Sequence, residues 1–151
     1  MDLFPSSTTL THGRGYVYSL QYHLVWCTKY RRPVLTGDIR TDVIAFLRRT
    51  ADDLDIEITA MEVMPDHIHL LISAKPQCRI SDAVKVFKGN LSRWMFMEHP
   101  ELKSSLQKGH MWNPSYYIET VSDRSEKRIR QYIESQTERN SDRGIRRGIQ
   151  R

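Results

Sequence analysis

VMPDHIHLLIS, Val63 to Ser73, reads as a short apolar strand carrying two histidines, His67 and His69. Side chains alternate across a strand, so His67, His69, Leu71 and Ser73 share one face, and Ile68, Leu70 and Ile72 the other. The Ile–Leu–Ile face is the one a core requires. The imidazoles then point the same way, with Cα atoms roughly 6.6 Å apart, close enough to hold one metal ion. Taken alone, the fragment equally describes a half-exposed strand with two solvated histidines. Ahead of it, Met64-Pro65-Asp66 has turn chemistry. Asp66 either serves that turn or orients a histidine from behind.

Upstream, YVYSLQYHLVWC (Tyr16 to Cys27) alternates, with Tyr18, Leu20, Tyr22, Leu24 and Trp26 on one face, and predicts a strand. A loop with Pro33 and Gly37 follows. From Asp38, a plausible N-cap, apolar residues recur at helical spacing through Ile39, Val43, Phe46, Leu47 and Leu54. IEITAMEVM predicts a strand that precedes HIHLLIS. A second helix is expected from Ser81 as N-cap toward His99, stopped by Pro100, with Val84, Phe87, Leu91, Trp94 and Met95 as its core stripe. A loop then leads to a strand at YYIETV. A last helix, from about Ser125 to Glu138, packs through Ile129 and Ile133.

The order β-α-β-β-α-β plus one helix predicts an α+β, ferredoxin-like split βαβ fold with an extra C-terminal helix. Two helices cover one sheet face, and His67 and His69 lie on the other. The expected divisions are an irregular leader over 1–13, one domain over 14–138, and a basic, Gly-broken, disordered tail over 139–151.

The 151 residues suffice for one domain with a sizeable core. A net charge of +5 suits an anionic partner. The N-terminus has no secretion pattern, and no apolar run approaches the ~18 residues of a membrane span. Two cysteines without a CxxC pattern fit free thiols in a reducing cytoplasm.

On the last helix, Tyr132 and Gln136 are four apart and neighbours on one face, at the edge of the Ile129/Ile133 stripe. By themselves they describe a packed Tyr and a surface Gln. Together with KYRRPVL, EVMPDHIHLLIS, WNPSYYIETVS and YIESQ, in this order and spacing, the chain resembles the single-tyrosine HUH transposases of small bacterial insertion sequences, the TnpA type. The resemblance runs from about Tyr16 to Gln136. It implies that His67 and His69 are the metal pair, Gln136 the third metal ligand and Tyr132 the nucleophile. It also implies Mg²⁺ or Mn²⁺ as cofactor, a bacterial cytoplasmic enzyme, a homodimeric assembly, and single-stranded DNA with hairpins near element ends as partner. Whether the tyrosine serves its own chain or its partner's is left open.

The implied reaction is attack of the tyrosine oxygen on a single-stranded DNA phosphodiester. It leaves a 5′-phosphotyrosine that a 3′-hydroxyl can reverse, which rejoins strands without ATP. A phenol of ordinary pKa, about 10, is almost wholly protonated at neutral pH, so a cation on the phosphate matters. Ligand type alone points to zinc, manganese or nickel; the need for an open site argues against a structural zinc centre. Candidate DNA contacts are Lys29, Tyr30, Arg31 and Arg32 after the first strand, Lys85, Lys88 and Arg93 on the second helix, and Trp112, with Tyr116 and Tyr117, as stacking platforms. Two alternatives stand beside this reading: a host-domesticated HUH endonuclease acting on palindromic repeats, and a non-catalytic ferredoxin-like nucleic-acid-binding module.

Overall fold

The computed structural model describes residues 11–13, 16–18, 20–106, 109–121 and 129–136. Its centre is a four-stranded antiparallel sheet of β3 (Gln21–Cys27), β4 (Glu57–Val63), β5 (His67–Ser73) and β6 (Tyr117–Thr120), in the order β4-β5-β3-β6. With α1 (Gly37–Asp53) after β3 and α2 (Ile80–Glu98) after β5, this is the ferredoxin-like split βαβ arrangement. The HIHLLIS segment is therefore a central strand, paired on both sides.

The β3–β5 register sets Leu24 opposite Leu70 and Trp26 opposite Ile68. All four are buried with Ile72, Val43, Leu47, Val84, Phe87, Leu91 and Met95 in one cluster between the sheet and the two helices. Each such fully buried side chain contributes about 1.5–3 kcal/mol. Trp94 is only partly buried and lies against Phe46, with ring centroids 4.0 Å apart. A smaller cluster forms on the opposite sheet face, where Leu71, Val121 and Ile133 are buried beside Ala60 and Ile129. Ile129 and Ile133 belong to α4 (residues 129–136), so this helix sits on the histidine face.

Several local expectations change. The strand expected over Tyr16–Cys27 is two strands. Residues 16–18 form β2, which pairs antiparallel with β1 (Thr11–Gly13), part of the expected irregular leader. The chain leaves the main sheet at Leu20, whose carbonyl accepts the Ala74 N–H at 2.9 Å. Asp38 lies in the first turn of α1, behind Thr36 as N-cap, and α2 begins at Ile80 with Arg79 as N-cap; neither cap makes a side-chain hydrogen bond. A one-turn helix, α3 (Leu102–Ser105), stands in the expected loop and buries Leu102. Residues 1–10, the expected start of the last helix near Ser125, its end at Glu138 and the basic tail fall outside the described residues.

Strand β4 carries a bulge between Ile58 and Ala60. Ile58 pairs with Ile72 on the core face, while Ala60, two residues on, pairs with Leu71 on the other. The extra residue, Thr59, donates its hydroxyl to the Leu71 carbonyl at 3.1 Å. One consequence is that Glu62 falls opposite His69.

Candidate active site

The sheet brings His67 and His69 to one face, with ring centroids 4.8 Å apart and planes at 73°. Across β3 they face Cys27 and Val25 respectively. Each ring is engaged at Nδ1. His67 Nδ1 lies 2.6 Å from Asp66 Oδ1, and Asp66 Oδ2 accepts Arg31 Nε–H at 3.0 Å. Partial burial alone would raise the Asp66 carboxyl; hydrogen bonds from His67 and Arg31, with their nearby charge, outweigh it and hold the group below its usual range. An ionised Asp66 requires the Nδ1–H form of His67, which leaves the lone pair on Nε2. The turn residue thus orients a histidine.

His69 Nδ1 lies 3.2 Å from His23 Nε2. The two planes differ by only 11° and the centroids are 5.5 Å apart, so the rings meet edge to edge within nearly one plane. His23 Nδ1 in turn lies 3.4 Å from Glu119 Oε1, and Tyr117 donates its hydroxyl to Glu119 Oε2 at 2.9 Å. Burial, then the neighbouring His67 and His23, lowers the His69 pKa to about 4. His69 is therefore neutral at neutral pH, the state in which an imidazole is a ligand.

The α4 helix supplies the remaining groups. With Ile129 and Ile133 packed on the Leu71 cluster, Tyr132 comes to lie beside His69. Its ring lies 6.5 Å from that of His69, edge-on at 72°, and is 52% exposed. Tyr132 therefore stands against the histidines of its own chain. Gln136 follows one turn later and is half-buried.

At the His67 end of the site, residues Lys29–Arg31 form a single 3-10 turn in which Tyr30 and Arg31 both have left-handed φ, 55° and 53°. Each such non-glycine residue costs about 1–3 kcal/mol. The turn is held in place by Thr28, whose N–H reaches the Asp66 carbonyl at 2.9 Å, and by Lys29 N–H on the Met111 carbonyl at 2.8 Å. Tyr30 is 65% exposed, with the Lys29 ammonium 5.2 Å from its ring centre; Arg32 is exposed beside it.

The other candidate DNA contacts divide. Lys85 and Arg93 are exposed on α2. Lys88 is turned to the chain, donating to the carbonyls of Asn113 at 2.9 Å and Pro114 at 3.3 Å, and burial lowers its pKa. Trp112 is buried. Its indole N–H donates to the Lys88 carbonyl at 2.9 Å, and its ring packs edge-on against Trp26 at 5.9 Å, so it is a core residue and not a stacking platform. Besides Tyr132, the exposed aromatics among the described residues are Tyr30, Tyr116 and Tyr117. His23 and Glu119 were not expected at the site, although His23 lies within a strand the sequence shows plainly.

The family model for the IS200-like transposases matches residues 16–136. The chain belongs to that family. The transposase is 52% identical over 124 residues to the ISDra2 transposase TnpA of Deinococcus radiodurans, an alignment covering 82% of this chain and 89% of that protein. A 1.90 Å crystal structure of a Deinococcus radiodurans R1 protein assigned as a transposase is 48% identical to it, with a TM-score of 0.71, over 83% of this chain and 97% of the other. A REP-associated tyrosine transposase, solved bound to a REP hairpin, shares the fold at 17% identity, with a TM-score of 0.60 over 82% of this chain and 69% of the other. No helix among the described residues is long and apolar enough to cross a membrane.

Proposed function

We propose that this transposase cuts and rejoins single-stranded DNA at the ends of its element, in the bacterial cytoplasm, through a 5′-phosphotyrosine on Tyr132. The carrying observation is the Tyr132 ring 6.5 Å from His69 on a face where both histidines are held through Nδ1. Attack of the Tyr132 oxygen on phosphorus forms the O–P bond as the bond to the 3′ oxygen breaks. The phenol gives up its proton, and the departing 3′ oxygen gains one. A 3′-hydroxyl of a second strand reverses the step, regenerates Tyr132 and completes the transfer.

The site fits a divalent cation, Mg²⁺ or Mn²⁺. Among the described residues neither His67 nor His69 makes a hydrogen bond at Nε2, and burial keeps His69 neutral. The family resemblance supplies the third, neutral ligand as Gln136, one turn from the nucleophile, and no group of three His, Cys, Asp or Glu competes with it among the described residues. A cation bound there supplies positive charge to the phosphate under attack. The protein's own contribution is to fix the two imidazoles, present Tyr132 beside them and keep the donors neutral.

The Lys29–Arg32 turn supports DNA binding next to His67: it offers cations to phosphates and the Tyr30 ring to a base. Lys85 and Arg93, on α2, would meet the strand farther from the chemistry. The hairpin-bound relative supports hairpins near the element ends as the recognised form. We further infer a homodimer; β6, an edge strand of the sheet among the described residues, is a surface suited to pairing.

The test is incubation of the protein with labelled single-stranded DNA from the flanking element ends, carrying their hairpins, with Mg²⁺, Mn²⁺ or EDTA. A denaturing gel should show a protein–DNA adduct that needs the metal and disappears in Tyr132→Phe. An adduct that survives the substitution moves the nucleophile elsewhere. Binding with no adduct under any metal would favour a non-catalytic module.

A further inference from the structure

The His67 side of the pair has an evident anchor in Asp66. His69 has none on its own strand; what it meets is His23, from β3. We propose that His23 is a positioning residue: held by Glu119 and Tyr117, it fixes His69 in the Nδ1–H tautomer and so keeps the His69 Nε2 lone pair aimed to the same side as that of His67.

The argument starts from Glu119. Its carboxylate takes the Tyr117 hydroxyl on one oxygen and faces His23 Nδ1 with the other. A carboxylate oxygen accepts only, so His23 Nδ1 must carry hydrogen. In a neutral imidazole the other nitrogen, Nε2, is then an acceptor. That acceptor lies 3.2 Å from His69 Nδ1, so the proton between the rings belongs to His69. His69 is left with Nε2 bare. Between neutral imidazoles each step hands the next group one permitted role, and the opposite direction would set two lone pairs against each other at His23 and Glu119.

The sheet makes this chain of contacts stiff. His23 and Glu119 are direct cross-strand partners on β3 and β6, and His69 pairs with Val25, two residues along β3 from His23. Side chains so related lie within reach on one face. The near coplanarity of the two imidazoles, 11°, puts the hydrogen bond along the lone-pair direction of His23 and removes the freedom of the His69 ring to rotate. Without His23, nothing in this contact set selects between the two His69 tautomers, and the one bearing hydrogen on Nε2 cannot ligate.

This inference rests on the metal-site reading above, so its test separates the two. The metal-free protein, labelled with ¹⁵N in histidine, is examined by long-range ¹H–¹⁵N correlation, which distinguishes a protonated from a bare ring nitrogen. Mn²⁺ affinity is then measured by the loss of the free-ion electron paramagnetic resonance signal. The variants are His23→Leu, His23→Gln and Glu119→Ala. Glutamine can accept from His69 and donate to Glu119 through its two amide atoms, so it should rescue.

In the parent, His69 should show hydrogen on Nδ1. In His23→Leu a population with hydrogen on Nε2 should appear and Mn²⁺ affinity should fall about 10–100-fold, the usual consequence of losing a partner behind a ligand. His23→Gln should recover most of both. Glu119→Ala, at a half-exposed edge position that does not threaten folding, should shift both in the direction of His23→Leu but less far. A His69 tautomer unchanged in both His23→Leu and Glu119→Ala would overturn the proposal. Mn²⁺ affinity equal to the parent's despite a changed tautomer would do so as well. A tautomer shift in a protein that binds no Mn²⁺ would leave His23 as the holder of His69 and refute the metal site instead.

Discussion

Replacing Asp66 with alanine tests how the His67 half of the site is built. The carboxylate spans two groups, His67 Nδ1 at 2.6 Å and Arg31 Nε at 3.0 Å, and its side chain is 27% exposed. Its two contacts are unequal. His67 is 18% exposed and its partner sets which nitrogen is bare, whereas Arg31 is 62% exposed and its ion pair is screened by solvent. Losing the carboxylate behind a ligating imidazole should weaken Mn²⁺ binding about 10–100-fold, or about 1.4–2.7 kcal/mol. Folding should suffer less, because Thr28 holds the Asp66 carbonyl through its N–H and its hydroxyl, contacts that alanine keeps. Arg31→Ala should change Mn²⁺ affinity by less than about threefold, since its pair adds only exposed charge. In the double variant, Arg31→Ala should add almost nothing to Asp66→Ala. Mn²⁺ titration followed by paramagnetic resonance, with calorimetric melting alongside, measures both terms. Equal losses in the two single variants would refute the assignment of Asp66 as the group orienting His67.

Three further outcomes follow from other contacts. Asp55 occupies the left-handed position after α1, φ 57°, with Ile56 N–H on the Ala51 carbonyl and Asp55 N–H on the Asp52 carbonyl. Asp55→Gly should therefore raise stability by about 0.5–1 kcal/mol, some 2–4 °C in melting temperature, even after losing the exposed ion pair to Lys75. His99, at the C-cap of α2, hydrogen-bonds Asp42 at 2.6 Å and Glu101 at 3.3 Å; the Asp42 bond first, against slight desolvation, raises its pKa. Its contribution, about 1 kcal/mol, should be fully present below the ordinary histidine value near 6.5 and vanish as pH climbs through the raised one, a fall in melting temperature that His99→Gln should lack. Glu62 is buried with Oε2 unpartnered and Arg40 no nearer than 3.8 Å, and desolvation raises its pKa despite Arg40. Because a raised carboxyl loses stability as pH rises above the unfolded value near 4.3, Glu62→Gln should melt higher at pH 7 by about 1 kcal/mol, with the gain closing toward pH 4. Thermal melts across pH decide each of the three.

What the sequence shows here is whatever depends on local period. Alternation placed Ile68, Leu70 and Ile72 on the core face, and helical spacing found Val84, Phe87, Leu91 and Met95, because a buried face must be apolar wherever its partner comes from. Alternation also put the two imidazoles together. The missing parts are those set by register. His23 is an ordinary strand residue until β3 pairs with β5 and β6, after which it lies between His69 and Glu119. The bulge at Thr59, which turns Glu62 away from the core and toward His69, breaks the very alternation by which strands are read. Trp112 carried a DNA-binding look in the sequence because an aromatic in a polar loop suggests a platform. A single bridge pair with Thr28 and one hydrogen bond to Lys88 pull it into the core. Helix starts were misplaced by a residue or two where no side chain caps the end, as at Thr36 and Arg79.

The division of labour in the site follows from how its two halves are attached. The histidines ride on the central strand of the sheet, paired on both sides and backed by the main core, so their separation is as rigid as the fold. Tyr132 rides on α4, joined to the sheet, among the described residues, through a cluster whose buried members are Leu71, Val121 and Ile133. At about 1.5–3 kcal/mol for each fully buried side chain, that cluster holds the helix against the sheet. On the proposed mechanism the groups that polarise a phosphate would keep their geometry across cleavage and rejoining, while Tyr132 would carry the 5′ end. Asp66 and Glu119 brace the fixed half from two ends of the sheet. The tyrosine half presents an exposed ring, with Gln136 one helical turn on.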